Sequence, residues 1–264
     1  MNPVQRILFA LCFSLWVYVL QAQPKDGKPL VIAHRGASGH APENTMASIN
    51  KALEMGADVI EIDVHQSRDK QVVVMHDSKL DRTTNMAGLI KDYNWDDIKD
   101  ADAGSWFSGE FTGERIPTLE DVISQIKGKA HLLIEIKKGG DYYPGLEQNV
   151  LDIIKDNHSE SWCMIQSFSD AAVQIFLDLD SGIEVYKLVI GRAFRSKKNT
   201  EQVAGVNPNK MFAKKRNVEK LHERGQKVFV WTVNEEKDMI KLITLGVDGI
   251  ITNYPDRLKK LLLD

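Results

Sequence analysis

The sequence predicts an α/β fold, a (β/α)8 TIM barrel with a small insertion after the second barrel strand. Strand-like apolar runs alternate with helix-like stretches, and eight such runs occur in the order that this barrel requires. The chain has 264 residues, which suits one barrel of about 250 residues. No Ser/Gly-rich or Pro-rich linker divides the chain, so residues 23–264 are expected to form a single domain.

The strand-like runs are short, apolar and rich in β-branched residues. In chain order they are Leu30–Ala33, Val59–Val64, His131–Ile136, Cys163–Ser167, Glu184–Ile190, the weaker Val203–Val206, Val228–Val233 and Gly249–Thr252. The helices between them have recognisable ends. Thr45, Asn217 and Asn234 are predicted N-caps, and Gly225 and Gly246 are predicted to end the second and third of these helices.

One apolar run lies too close to its neighbour for a barrel strand. Val72–His76 follows the second strand after only a few polar residues, whereas a parallel crossover needs a dozen or more. This run is therefore expected to return antiparallel, and residues 77–117 are expected to form an inserted subdomain or lid. The tryptophan and phenylalanine residues of that segment suit either its own small core or contact with an acyl chain. They are Trp95, Trp106, Phe107 and Phe111.

The composition excludes several classes of protein. With 43% hydrophobic and 27% charged residues, the chain is globular rather than disordered, collagenous or fibrous. A net charge of -3 without a long basic run predicts no nucleic-acid partner. Two cysteines exclude a disulfide framework.

Residues 1–22 have the pattern of a signal peptide. Arg6 precedes an apolar run that is shorter than the ~20 residues of a membrane span. Ala22 is the predicted last residue removed, so the mature chain would be exported to the periplasm or secreted, without a stable membrane anchor. An uncleaved N-terminal anchor is the alternative. Cleavage removes Cys12 and leaves Cys163, whose apolar neighbours predict a buried thiol.

Carboxylates occur inside two predicted strands. Strand residues alternate faces, so Glu61 and Asp63 point the same way, as do Glu135 and Lys137. Buried charge is costly unless it is paired or holds a metal. An ion pair with Lys137 would explain Glu135 alone, but three carboxylates on adjacent strands need a cation. Oxygen ligands without cysteine favour Mg²⁺ or Ca²⁺ over zinc.

Two histidines are candidates for acid/base chemistry. His34 follows the first strand at a sharp turn, and His76 ends the antiparallel run, which would bring it back over the carboxylates. His40 has no clear role, and His65 is expected just past the end of its strand. The remaining histidines are predicted to be structural. They are His131, His158 and His222.

A series of short motifs then gives the chain a family resemblance. They are HRG (34–36), PENT (42–45), GADVIEIDV (56–64), VVVMHD (72–77), RTT (82–84), IPTLEDV (116–122), IEIK (134–137), QSF (166–168), WTVN (231–234) and GVDGIITNYP (246–255). In this order the motifs resemble the glycerophosphodiester phosphodiesterase family, which has a barrel with a small insertion after the second strand. One departure is Asp69-Lys70, where the family usually has Asp-Gly in the hairpin turn.

The resemblance implies a role for each matching position. One divalent cation, Ca²⁺ or Mg²⁺, would be held by Glu61, Asp63 and Glu135. The acid/base pair would be His34 and His76, and the phosphate would be contacted by Arg35 and Lys137. Glu43 would organise the site, and Trp231 would line the substrate pocket. The implied reaction is metal-dependent hydrolysis of a small-molecule glycerophosphodiester to sn-glycerol 3-phosphate and an alcohol. Attack by a glycerol hydroxyl, giving a cyclic phosphate, and direct attack by water both suit these residues.

Two other functions stay open at this point. A lysophospholipase D-like phosphodiesterase would share the barrel and the two histidines, and the aromatic insertion would suit its acyl chain. A non-catalytic binding module would be expected to lack at least one histidine or ligand, whereas every matched position is retained.

Overall fold

Eight parallel strands form a nearly closed barrel, which confirms the predicted fold class. The computed structural model describes residues 27–179, 182–191 and 200–263. The strands are β1 (Leu30–His34), β2 (Val59–Gln66), the antiparallel β3 (Val72–Val74), β4 (His131–Ile136), β5 (Cys163–Ser167), β6 (Glu184–Val189), β7 (Gly205–Pro208), β8 (Phe229–Val230) and β9 (Gly249–Thr252). The predicted signal peptide lies outside the described residues.

The order of strands around the barrel is β7-β6-β5-β4-β2-β1-β9-β8. Single parallel bridges from Gly205 to Lys227 and from Asn209 to Trp231 bring β7 beside β8 and close the ring. The helices are α1 (Met46–Glu54), α2 (Trp95–Ile98), α3 (Leu119–Ile126), α4 (Leu146–Asp156), α5 (Asp170–Asp178), α6 (Lys215–His222), α7 (Glu236–Leu245) and α8 (Pro255–Leu263). Among the residues that the structure describes, none of these helices has the length and apolarity that a membrane span requires.

Two apolar layers hold the barrel together. The outer layer packs alternate strand residues against the helices, and it contains the residues of β2 and β4 that alternate with the carboxylates. They are Ile60, Ile62, Val64, Ile134 and Ile136. The inner layer fills the barrel with Leu30, Ile32, Val59, Leu133, Met164, Tyr186, Phe229 and Ile251. Each large side chain buried in this way contributes about 1.5–3 kcal/mol. The Cys163 thiol is also buried, as predicted, and burial raises its pKa to about 12.

Two of the three predicted helix caps are wrong. Thr45 caps α1 as expected, because its side chain accepts from the Ser48 N–H. Asn217, however, lies inside α6 and its amide donates to the Phe212 carbonyl. Asn234 precedes the N-cap of α7 by one residue, and its Oδ1 accepts from the backbone N–H of Asn253. Both asparagines therefore hold loops in place rather than cap helices.

The hairpin after β2 has the expected direction. β3 pairs antiparallel with β2 through the register Val64–Val74. The turn places Lys70 at φ 73°, a left-handed conformation that favours glycine, so the Asp69-Lys70 departure puts a side chain on a strained backbone. The strand β2 also runs further than predicted, through Gln66, and so includes His65.

The segment from β3 to α3 has a core of its own. This aliphatic cluster consists of Val73, Met75, Leu80, Ile90, Ile98, Ala101, Ala103 and Ile116. Of the four predicted aromatics, only Trp95 packs against it. Trp106, Phe107 and Phe111 instead form an edge-to-face row beside it, with Trp106 41% exposed. The insertion is thus stabilised by aliphatic side chains, and the aromatic row is left at its surface.

Candidate active site

Three buried carboxylates meet at the mouth of the barrel, where the strands have their C-terminal ends. Glu61 and Asp63 lie on β2 and Glu135 on β4, and the strand register pairs Asp63 with Glu135. One ligand oxygen from each carboxylate lies within 4.8 Å of the other two. The alternation of strand faces brings these residues together, as the sequence predicts.

Two basic side chains offset this charge only in part. Arg35 Nε lies 3.2 Å from Asp63 Oδ2, and Lys137 Nζ lies 3.4 Å from Asp63 Oδ1 and 2.7 Å from Glu135 Oε1. Burial opposes ionisation of Asp63, but Lys137 and Arg35 hold its pKa well below the usual range. Burial and the nearby Asp63 raise the pKa of Glu61 well above its ordinary value and that of Glu135 to about 7. Glu61 and Glu135 therefore hold their protons to a higher pH than free carboxyl groups do, whereas Asp63 does not.

The donor set fits a hard divalent cation. Asp63 Oδ1 is buried without a hydrogen-bond partner among the described residues, and Lys137 Nζ is 3.4 Å from it. Glu135 Oε1 is also buried, and its nearest charged partner is the same Lys137 Nζ at 2.7 Å. Leaving such oxygens unsatisfied is costly in a protein interior. A cation with oxygen preference, such as Ca²⁺ or Mg²⁺, would satisfy them.

A chain of amides fixes the third carboxylate. Glu61 Oε1 accepts from Gln166 Nε2 at 3.0 Å, and Gln166 Oε1 accepts from Asn207 Nδ2 at 2.9 Å. Glu61 Oε2 accepts from the backbone N–H of Arg35 at 3.0 Å. Sequence reasoning missed Gln166 and Asn207, although both are polar residues with the inward parity of their strands. Such hydrogen bonds orient a ligand toward its cation.

The turn after β1 folds Arg35 back over the barrel. Arg35 and Gly36 both have positive φ, at 55° and 76°. A Cβ at Gly36 would lie 2.6 Å from the Ser48 backbone, so this turn requires glycine. Asn44, also at positive φ, donates from Nδ2 to Asp63 Oδ2 at 2.8 Å. The HRG and PENT motifs thus build one loop around the carboxylates.

His34 is oriented by a neutral partner. Its Nδ1 lies 2.7 Å from Asn253 Oδ1, an atom that can only accept, so Nδ1 carries the proton and Nε2 is left as an acceptor. Burial and the charge of Arg35 lower the pKa of His34 to about 4, which keeps the ring neutral at pH 7. Asn253 is a further residue that sequence reasoning missed.

His76 is oriented by a charged partner. Its Nδ1 donates to Asp77 Oδ1 at 2.6 Å, and Arg82 Nε donates to Asp77 Oδ2 at 2.7 Å. Its carbonyl accepts from the Nε2–H of His65 at 3.0 Å. The expectation that His65 lies beyond its strand is wrong, because pairing with β3 extends β2 past it. His65 is buried and supports the backbone of His76.

The remaining predicted residues lie around this centre. Glu43 Oε1 accepts from Arg35 Nη1 at 2.9 Å, beside the carboxylates but outside their cluster. Trp231 lies across the mouth, where its ring packs edge-to-face on Phe168 and its Nε1 donates to the Asn207 carbonyl. Trp231 is therefore linked to the carboxylates through the amide chain rather than by direct contact.

Together with the fold, this mouth defines a barrel enzyme whose site combines carboxylates for a cation with basic groups for an anion. The sequence model of the Glycerophosphoryl diester phosphodiesterase family matches residues 34–257. The chain belongs to this family, and it is an enzyme of the phosphoric diester hydrolase type.

Members of this family are similar to the chain both in sequence and in structure. The glycerophosphodiester phosphodiesterase of Caldanaerobacter subterraneus is 39% identical over 235 residues, covering 88% of this chain and 96% of that protein. The enzyme of the same name from Bacillus altitudinis is 38% identical, with 88% and 97% covered. An Oleispira antarctica phosphodiesterase, solved in complex with the product sn-glycerol-3-phosphate, is 31% identical with a TM-score of 0.80, covering 90% of this chain and 98% of that one.

The raised pKa of Glu135 predicts a pH-dependent response to Ca²⁺. Its folded pKa of about 7 exceeds the ordinary 4.5, so its contribution to stability is complete below pH 4.5 and is lost as the pH rises through 7. A divalent cation such as Ca²⁺, if held by Glu135, would need the deprotonated carboxylate and would compete with this proton. The increase in melting temperature on adding Ca²⁺ should therefore be larger at pH 8 than at pH 5.5, measured by scanning fluorimetry. An equal increase at both pH values would contradict this.

Proposed function

We propose that the protein hydrolyses glycerophosphodiesters to sn-glycerol 3-phosphate and a free alcohol in a metal-dependent reaction with histidine acid/base catalysis. The observation that carries the proposal is the convergence of a buried carboxylate cluster, two basic side chains and two oriented imidazoles at one mouth. The product bound to the Oleispira antarctica relative supports the same substrate class.

Glu61, Asp63 and Glu135 are the residues that would hold the cation, either Ca²⁺ or Mg²⁺. When bound, the cation supplies positive charge that stabilises the phosphoryl oxygens as negative charge accumulates on them. Its ligands are already fixed by Gln166 and Asn44, so little reorganisation is needed.

Arg35 and Lys137 bind the phosphate in this proposal. Arg35 reaches over the carboxylates with a planar guanidinium, which suits two phosphoryl oxygens at once. Lys137 extends from the end of β4 and contacts both Asp63 and Glu135. Since each basic group is held by a carboxylate, both are positioned before the substrate arrives.

In this proposal the two imidazoles make the two proton transfers of the reaction. His34 is held by an amide and is neutral, so its free Nε2 suits the base that accepts a proton from the attacking hydroxyl or water. Burial and the charges of Arg35 and Lys137 lower the pKa of His76, whereas the Asp63 and Asp77 carboxylates act in the opposite direction. Because Asp77 holds its Nδ1 and can stabilise an imidazolium, His76 is assigned as the acid that protonates the leaving oxygen. Trp231 lines the pocket beside them.

The products of glycerophosphocholine cleavage test this proposal. Hydrolysis as proposed releases glycerol 3-phosphate and choline, which enzymatic assays detect separately. Release of phosphocholine and glycerol would show that the other ester bond is cleaved. Absence of any product with either Ca²⁺ or Mg²⁺ would overturn the proposed substrate.

One observation favours lysophospholipids as a second substrate class. Phe168, Ile190 and Met211 follow three consecutive strands at the mouth, and they are 39%, 56% and 75% exposed. An acyl chain would bury this apolar rim. Competition between glycerophosphocholine and lysophosphatidylcholine separates the two: stronger inhibition by the lysolipid than by a glycerophosphodiester at equal concentration would favour the lysophospholipase D-like reaction.

We also propose that the chain is exported after cleavage behind Ala22. The proposal is supported by Arg6 and the apolar run after it, which have the length and charge of a signal peptide. Mass spectrometry of the protein from the periplasm or medium should give an N-terminus at Gln23. An N-terminus at Met1 in a membrane fraction would support an uncleaved anchor.

A further inference from the structure

Arg82, from the RTT motif, links two segments of the candidate active site. Its Nε donates to Asp77 Oδ2 at 2.7 Å and its Nη2 to Asp77 Oδ1 at 3.3 Å. Its Nη1 donates to Glu43 Oε2 at 3.0 Å and its Nη2 to Glu43 Oε1 at 2.7 Å. One guanidinium therefore donates hydrogen bonds to a carboxylate of the insertion and to a carboxylate of the loop after β1, and it contacts both oxygens of each.

Each of these carboxylates continues to a residue of the proposed chemistry. Asp77 accepts from His76 Nδ1, and Glu43 accepts from Arg35 Nη1. The result is a continuous chain of charged hydrogen bonds from Arg35 through Glu43, Arg82 and Asp77 to His76. Charge-assisted bonds of this bidentate kind fix direction as well as distance.

The backbone of Arg82 is itself held firmly. Leu80 is fully buried in the aliphatic core of the insertion, and Thr83 is 4% exposed. The Thr84 hydroxyl donates to the Leu80 carbonyl at 2.8 Å, which closes the turn around Arg82. Thr83 lines one small cavity with Glu43 and His76. The guanidinium thus extends from a rigid turn, so it can impose its position on its partners.

We propose that Arg82 is a positioning residue that aims His76 and Arg35 at one phosphate. The inference rests on the proposed function, in which these two residues act on the same substrate. Among the described residues, Arg82 is the only partner of the Asp77 side chain besides His76. Without Arg82, Asp77 would be held less firmly, and Glu43 could draw Arg35 away from the phosphate. Small displacements of aligned groups are costly to rate, about 10²-fold for ~1 Å.

Arg82→Gln tests this inference, with Arg115→Gln as the matched control. Arg115 is also an arginine of the insertion, and it pairs with Asp100 at 2.8 Å at a surface where both side chains are 64% exposed. We expect Arg82→Gln to lower kcat/KM about 10²-fold, with both a lower kcat and a higher KM. Arg115→Gln should stay within about twofold of wild type.

The Ca²⁺ affinity of both variants should be unchanged, because Arg82 bonds to none of the three carboxylates of the cluster. Equal kinetics for Arg82→Gln and wild type would overturn the inference.

A double-mutant cycle identifies the route of the effect. If Arg82 acts on His76 through Asp77, Arg82→Gln combined with Asp77→Asn should reduce kcat little more than Asp77→Asn alone. Losses that multiply would contradict this route. Arg82→Lys keeps the charge but not the planar fork, so its kcat/KM should lie between those of wild type and Arg82→Gln. This variant also serves if the glutamine variant fails to fold.

A spectroscopic measurement separates failure of this inference from failure of the proposed function. In ¹⁵N–¹H correlation spectra, the His76 ring, assigned by its absence in His76→Ala, should hold its neutral-form proton at Nδ1 in wild type. Arg82→Gln should shift this proton toward a mixture of the two ring nitrogens, and Arg115→Gln should not. This result is obtained even if wild type releases no product. An unchanged His76 spectrum in Arg82→Gln would refute the positioning role.

Discussion

Replacing His76 by alanine is expected to lower kcat by about 10³-fold, within the range for loss of a general acid or base. The imidazole is the group that the Asp77 carboxylate holds at 2.6 Å with its Nε2 left available. With alanine at this position, the oxygen of the departing alcohol has no proton donor. The substitution does not change the carboxylate cluster of Glu61, Asp63 and Glu135. Steady-state release of glycerol 3-phosphate gives kcat, and titration calorimetry should show an unchanged Ca²⁺ affinity. His34→Ala should lower kcat by a similar factor, because it removes the group that accepts the proton of the attacking hydroxyl or water.

His222→Ala is the matched control for this change. His222 also pairs with an aspartate, Asp248, at 2.8 Å, but it lies at the end of α6 beside the residue that precedes β9. It is therefore also half of a histidine–aspartate pair, although through Nε2, and it lies at the opposite end of the barrel. A loss of kcat in His222→Ala equal to that in His76→Ala would mean that the histidines act through folding rather than proton transfer.

Asp63→Asn is expected to abolish cation binding and to lower kcat/KM by at least about 10³-fold. Asp63 lies between Arg35 and Lys137, and its buried Oδ1 has no hydrogen-bond partner among the described residues. An amide offers one weaker oxygen and leaves both basic groups with less compensating charge. Calorimetry should show no heat of Ca²⁺ binding, and melting curves with and without Ca²⁺ should coincide.

Asp58→Asn provides the matched control for Asp63. Asp58 directly precedes β2, where its Oδ2 accepts from the Val31 N–H at 2.8 Å, so the substitution is made at the far end of the same strand. This variant should lose some stability and keep its Ca²⁺ affinity and activity. If Asp63→Asn still bound Ca²⁺ with the affinity of Asp58→Asn, the carboxylate cluster would not be the cation site.

Most of the barrel could be predicted because its strands follow simple physical rules. Buried parallel strands are apolar runs, and the period of two places Glu61, Asp63 and Glu135 on the inner face without any knowledge of loops. The same parity argument, extended to later strands, would have identified Gln166 and Asn207. An uncharged polar side chain in a strand gives a weaker signal of function than a carboxylate, because burying an amide costs less than burying a charge.

Loop geometry limited what the sequence could indicate. Arg35 and Asn44 reach the carboxylates only because the backbone adopts positive φ at both residues. The alternation of strand faces does not predict such loop conformations. Asn253 meets His34 across 219 positions of the chain, and Arg82 meets Glu43 across 39. Such contacts depend on how the insertion and the last strand return to the mouth, and no local pattern reveals them.

The measurement that tests the account most directly is release of glycerol 3-phosphate from glycerophosphocholine by protein beginning at Gln23. It should be made with EDTA, then with Ca²⁺ or Mg²⁺ restored, beside His34→Ala. We expect release that EDTA abolishes, that one of these cations restores, and that His34→Ala reduces by about 10³-fold. Full release in EDTA, or wild-type release by His34→Ala, would contradict a cation-dependent reaction that uses this histidine.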